Sequence, residues 1–222
     1  MQLTKITCEL RYAERMKILS AYESFYRDVM GKAPEEAAAW IAPGLRLEDK
    51  ERKRVVLADQ GRAAVDIEQP PNVGYCRDSI VKVFESLNRE LPIPPLARWG
   101  IRFTWIQAYS GTFQDLLRLF KERFLAAKEP LTRAADIGLV LDYFDDDLKL
   151  TLTAGPMEAE QLRSQFLAFE AKGLPPVLVY AGVDAADTKT RQYSAAHLGK
   201  LFSRAHGIAE TMAKDVISLL RV

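Results

Sequence analysis

The chain has 222 residues, 48% of them hydrophobic and 27% charged, with 31 basic and 30 acidic side chains. That composition suits one large globular domain or two small ones. Because both halves are balanced in charge, it excludes a uniformly basic nucleic-acid module and a polybasic membrane-surface module.

The predicted elements follow in chain order. Leu3–Tyr12 alternates: Ile6, Cys8, Leu10 and Tyr12 share one face, and Lys5, Thr7, Glu9 and Arg11 share the other, the pattern of a half-buried strand. Ile18, Leu19, Tyr22, Phe25, Tyr26, Val29 and Met30 recur at helical spacing before Gly31. A short helix is expected over Pro34–Ile41, ended by Pro43-Gly44. Strands are expected over Leu45–Asp49, Arg54–Asp59 and Arg62–Glu68, the last two joined by a tight turn at Asp59-Gln60-Gly61. Asp78 is the expected cap of a helix carrying Ile80, Val83, Phe84 and Leu87.

The segment LPIPPL, residues 91–96, then breaks the chain with three prolines, and the order restarts. Trp99, Ile101, Phe103 and Trp105 alternate with Gly100, Arg102 and Thr104, which predicts burial of the aromatic set and places Arg102 on the opposite sheet face. Thr112 caps a predicted helix bearing Leu116, Leu117 and Phe120. A hairpin is expected from Ile137–Phe144 and Leu148–Thr153 around Asp145-Asp146-Asp147. An extra helix, Glu158–Lys172, precedes a strand at Val177–Val183 and a long last helix from Leu198 to Leu220. The sequence therefore predicts an α+β protein of two related halves, 1–95 and 96–222. Each has the order strand–helix–three strands–helix with an antiparallel sheet, and the second half carries the extra helix. A groove between such halves is a natural place for a ligand.

No apolar run is long enough to cross a bilayer, and the N-terminal MQLTKITCELRYAERMK lacks the apolar centre of a secretory signal. Cys8 and Cys76 read as reduced thiols, so the expected setting is cytoplasmic.

The run RWGIRFTW, residues 98–105, resembles an Arg-x-Gly-Leu-Arg-Tyr signature found midway along a sporadically distributed family of uncharacterised bacterial proteins. Arg98, Gly100, Ile101, Arg102 and Phe103 carry the match, with Ile for Leu and Phe for Tyr. ELRY at 9–12 and RAHGIAETM at 204–212 resemble that family's opening strand and closing helix. The resemblance implies a bacterial cytoplasmic setting and no particular activity. The proline-rich lead that often precedes the family's first strand is missing here.

The candidate chemistry is sparse. Arg11 and Arg102 occupy like positions on the two first strands, where paired guanidinium groups suit a carboxylate or phosphate. The plainer reading pairs them with sheet acids such as Asp66 or Asp142. His197 and His206 are nine residues apart and cannot share a metal from one helix. The three aspartates at 145–147 lack the spacing of a calcium loop and suit a turn. Asp66, Glu68, Asp184 and Asp187 end strands, and an acid–base pair would need two of them held close. Cys8 lies on a buried face with no base indicated. Ser110-Gly111-Thr112 is too short for a phosphate-binding loop. Trp99, Phe103 and Trp105 suit core packing better than base stacking.

The expected function is therefore a non-enzymatic binding or interaction protein with no cofactor and no catalytic or metal site. Arg11 and Arg102 would face the groove toward a small anionic ligand or a protein partner. An RNA-binding or RNA-processing protein of tandem α+β modules is the alternative, disfavoured by the charge balance.

Overall fold

The computed structural model describes residues 1–13, 27–29, 38–41, 44–125 and 133–220, with backbone alone for 38–41. Its strands are β1 (Gln2–Tyr12), β2 (Ala38–Ile41), β3 (Gly44–Asp49), β4 (Arg54–Asp59), β5 (Arg62–Glu68), β6 (Leu96–Ala108), β7 (Leu139–Asp145), β8 (Leu148–Glu158) and β9 (Val177–Asp187). Its helices are α1 (Val73–Glu90), α2 (Phe113–Phe124), α3 (Ala159–Phe166) and α4 (Ala195–Leu220).

All the strands belong to one nine-stranded antiparallel sheet, in the order β2-β3-β4-β5-β1-β6-β9-β8-β7. This corrects the expectation of a separate sheet in each half. The two first strands, β1 and β6, pair with each other at the centre, Cys8 opposite Ile101 and Thr7 opposite Arg102. Pairing there removes two free edges, which a short isolated sheet would leave open. On either side the chain steps to the outer edge and returns strand by strand to the centre. The first arm has β5, β4, β3 and β2; the second has β9, β8 and β7.

One face of this sheet is apolar and covered. Ile6, Cys8 and Leu10 of β1, Trp99, Ile101, Phe103 and Trp105 of β6, and Val183 and Ala185 of β9 are buried in one continuous core. The core takes in Cys76, Ile80, Phe84 and Leu87 of α1, Leu116 and Phe120 of α2, and Leu198, Phe202, Ala205 and Ala209 of α4. The period of two along β6 does place Arg102 on the other face, as expected. Cys8 and Cys76 are free and buried, and burial pushes the Cys8 thiol well above its ordinary range and that of Cys76 up to about 12.

Local expectations fared unevenly. Residues 27–29 are helical. The rest of the helix expected over 18–30, and residues 34–37 of that expected over Pro34–Ile41, lie outside the described residues. Ala38–Ile41 is strand, not helix, because its backbone pairs with Gly44–Leu47 of β3, and that tertiary pairing overrides alanine's helical preference. Helix α1 starts at Val73, before Asp78, because the Asn72 side chain caps it by accepting from the Tyr75 amide at 2.7 Å. Thr112 caps α2 as expected, in a reciprocal box with Asp115. Helix α3 ends at Phe166 rather than Lys172. Beyond it the amides of Ala168 and Phe169 donate to the buried Glu68 carboxylate at 2.7 and 3.1 Å, so that backbone is held by β5.

The face away from the main core is mostly open. Over its second arm, however, α3 and the segment after it build a small separate core from Ile106, Leu162, Leu178 and Tyr180, with Phe166 packed against it.

Candidate functional site

The open face over the central strands is concave. A cavity of about 430 Å³ there is lined by Thr7, Glu9 and Arg11 of β1, Arg98, Gly100 and Arg102 of β6, and Asp184 of β9. Residues directly opposite in antiparallel strands share a face, so the register Thr7–Arg102–Asp184 and the pair Glu9–Gly100 assemble this floor from three strands. Arg11 and Arg102 thus line one concavity, at the seam where the two arms meet.

Their surroundings differ. Arg11 is largely exposed and its Nε donates to Glu9 Oε1 at 2.6 Å. The anticipated partner Asp66 instead pairs with Lys5 at 3.1 Å. Arg102 is partly buried. Its Nη2 donates to the Tyr180 hydroxyl at 2.7 Å and lies 3.5 Å from Thr153 Oγ1. Its guanidinium carbon is 6.0 Å from the centre of the Phe166 ring, which itself packs on Tyr180 at 4.8 Å. The anticipated partner Asp142 lies on β7, three strands from β6, and binds Lys149 and Thr151 of the neighbouring β8. Among the described residues no carboxylate lies within 4.0 Å of Arg102, and its buried Nε has no acceptor.

The Arg-x-Gly-x-Arg spacing now has a physical account. Arg98, Gly100 and Arg102 lie on the same face of β6. Arg98 folds flat across Gly100 to reach Glu9 Oε1 at 3.3 Å and Asp184 Oδ2 at 2.9 Å, tying β1 to β9. A Cβ on Gly100 would sit 2.8 Å from Arg98 Nη1, so only glycine leaves that path open. Gly182 has the same role for Tyr180, whose hydroxyl a Cβ there would strike. Asp184 is consumed by Arg98, and Glu9 by Arg98, Arg11 and Arg62. The cavity lining therefore carries three guanidinium groups against two carboxylates already in use.

Sequence reasoning missed Glu9, Arg98, Asp184 and Tyr180 as neighbours of the site. The i, i+2, i+4 spacing of Arg98, Gly100 and Arg102 was the available signal; the others depend on register between distant strands.

The remaining candidates are held elsewhere. Glu68 accepts from the segment after α3. Asp187 is buried and accepts from the Lys189 amide at 2.9 Å and Arg191 Nε at 2.8 Å, apart from Asp184, which Arg98 holds; Asp66 and Glu68 do meet, but at the shared Lys5 ammonium, 3.1 and 3.5 Å away. The three aspartates of the β7–β8 turn are not free in solvent but gripped by Arg204 of α4 and by Arg191 and Lys189. His197 packs edge-on to Trp99 at 5.2 Å and His206 to Phe103 at 5.4 Å. Among the described residues no group of three or more His, Cys, Asp or Glu is placed to hold a metal, and no helix is long and apolar enough to cross a membrane.

Fold and site define an α+β protein with one antiparallel sheet, α1, α2 and α4 on one face, and α3 beside an arginine-lined hollow on the other. No family model matches the chain, and no curated protein matches it. Among solved structures, Methanococcus jannaschii TBP is similar over 99% of this chain and 97% of its own, at 10% identity and a TM-score of 0.33. A likeness at that level carries no argument about function.

Proposed function

We propose that the protein is a non-enzymatic binding protein whose two arms, 1–95 and 96–222, are related halves, and whose seam receives the carboxylate or phosphate of a small anionic ligand. The observation that carries this reading is Arg102, a guanidinium in a concavity with a buried, unpaired Nε and no carboxylate in reach among the described residues. A guanidinium stays charged, so its open donor favours an oxyanion. Arg11, at the rim, adds attraction, whereas Arg98 is spent in bridging Glu9 and Asp184. The Phe166 ring, 6.0 Å from the Arg102 guanidinium carbon, backs the arginine from outside the cavity lining. A nucleic-acid backbone is poorly matched, because Lys5, Arg11, Arg62, Arg98 and Arg102 alternate on this face with Glu9, Asp66, Glu68 and Asp184 rather than forming a basic stripe.

Calorimetric titration with acetate, benzoate, citrate and inorganic phosphate tests it. At least one should bind, and Arg102→Ala should weaken that binding about tenfold or more, the effect of losing one charge-assisted hydrogen bond. His206→Ala should leave it unchanged. If none binds, or if Arg102→Ala binds as the parent does, the seam is not the site.

A further inference from the structure

A second cavity lies on the helical face, apart from the seam. It measures about 360 Å³ and sits between α1 and the β3–β4 turn, with Asp28 and Val29 at its side. Helix α1 presents Tyr75, Ser79, Lys82 and Ser86 to it as one stripe at helical spacing, the turn contributes Arg52, and the first residue of β4 contributes Arg54.

Arg54 is the unusual member. It is 6% exposed, yet its Nε has no acceptor among the described residues. The rest of its guanidinium is fixed: Nη2 donates to the Val29 carbonyl at 2.8 Å and Nη1 to Ser79 Oγ at 3.2 Å, with Asp49 Oδ2 at 3.4 Å. Because Ser79 Oγ accepts from Arg54, its own hydrogen is left to donate. Lys82, on the same stripe, has no carboxylate within 4.0 Å among the described residues. The two acids in the lining are engaged, Asp28 by Ser86 and Arg89, and Asp78 by Arg77 at 2.9 Å.

From this we infer a second binding site, for the phosphate group of a small phosphate monoester. Three residues that line one cavity carry donors not engaged by an acceptor among the described residues: Arg54 through its buried Nε, Ser79 through its hydroxyl and Lys82 through its ammonium. Three donors suit the three terminal oxygens of a phosphate monoester better than the two of a carboxylate. A buried guanidinium with an open donor gains most from an anion, because desolvation weakens every competing interaction with water. Ser86, whose hydroxyl donates to Asp28, keeps its lone pairs as acceptors for a hydroxyl group on the body of the ligand, and Val83 and the Tyr75 ring supply its apolar contact.

The test uses the full chain carrying Arg102→Ala, which removes the seam's anchor, so that its outcome is independent of the seam reading. Inorganic phosphate and glycerol phosphate are titrated by calorimetry, with acetate at matched ionic strength as the carboxylate arm. Both phosphates should bind and acetate should bind more weakly. Lys82→Met and Ser79→Ala, at positions not fully buried, should each weaken phosphate by about tenfold or more, with circular dichroism unchanged. Arg54→Met should abolish binding if it folds, but the first two variants decide. Absence of phosphate binding, acetate binding as tightly as phosphate, or phosphate binding unaltered by Lys82→Met and Ser79→Ala overturns the inference.

Discussion

The two faces of strand β6 differ in everything but their backbone. On one face Trp99, Ile101, Phe103 and Trp105 are buried against α4 and α2; on the other Arg98, Gly100 and Arg102 meet a hollow lined by charge. The apolar face is held by area removed from water, which is non-directional and tolerant of small shifts. The polar face is held by placement: Arg98 must lie over Gly100, and Tyr180 over Gly182, or the contacts vanish. Substitutions should therefore cost stability on the first face and geometry on the second.

The largest effect should come from the apolar face. Trp105 is 3% exposed and stacks on Phe103 at 5.7 Å. Trp105→Ala should destabilise by about 3–5 kcal/mol, the usual cost of emptying an aromatic site in a core. Urea unfolding measures it, and a midpoint equal to that of the parent would erase the contrast between the faces.

An intermediate effect is expected where the polar face is itself buried. Glu68 is 1% exposed and anchors the segment after α3 through the amides of Ala168 and Phe169. Glu68→Ala should cost about 1–3 kcal/mol, the penalty for stranding buried hydrogen-bonding groups. Hydrogen exchange at those two amides should rise far more than at β6. Equal protection in both variants would mean that the small core around Leu162 and Tyr180 holds the segment unaided.

A smaller effect, and a sharper one, concerns Gly100. Gly100→Ala should push the Arg98 guanidinium off its path to Asp184, at about 1 kcal/mol or less, since partly exposed ion pairs contribute little. In an Arg98→Ala background the same change should cost nothing or stabilise, because alanine suits a strand better than glycine. A double-mutant cycle that shows simple additivity would mean that Gly100 is present for some reason other than room for Arg98.

The same contrast explains what could be read in advance. Alternation along Leu3–Tyr12 and Trp99–Trp105 marks the buried face because a strand's side chains have a fixed period of two, and it places Arg11 and Arg102 opposite. The expected repeat of element order holds only in part, since β2 gives the first arm four returning strands against three in the second. Strand β2 was not, since AAAWI carries a helical preference that only pairing with β3 overrides. The continuity of the sheet through β1 and β6 was invisible, because strand pairing across almost a hundred residues leaves no local mark. The site's neighbours share that fate. Glu9 and Asp184 reach Arg98 through register, and Phe166 reaches Arg102 only because α3 folds back over the open face.

The smallest effect concerns a titratable group inside the apolar face. His206 of α4 packs against Phe103 at 5.4 Å and Trp105 at 6.3 Å, and this burial holds its imidazole below the ordinary 6.5, with Lys214 acting in the same direction and Glu210 against it. Because the folded value lies below the unfolded one, the unfolded chain binds more protons in the interval between them, and stability rises with pH across that interval. The contribution is complete above 6.5 and is lost as the pH falls toward the folded value. His206→Phe keeps a ring on Phe103 and removes the proton. The fall in urea midpoint between pH about 7.5 and pH about 5 should be shallower in that variant than in the parent, by less than any change above. Identical pH profiles for the two proteins would show that the imidazole reaches water freely, so that the covered face is more open at α4 than its packing indicates.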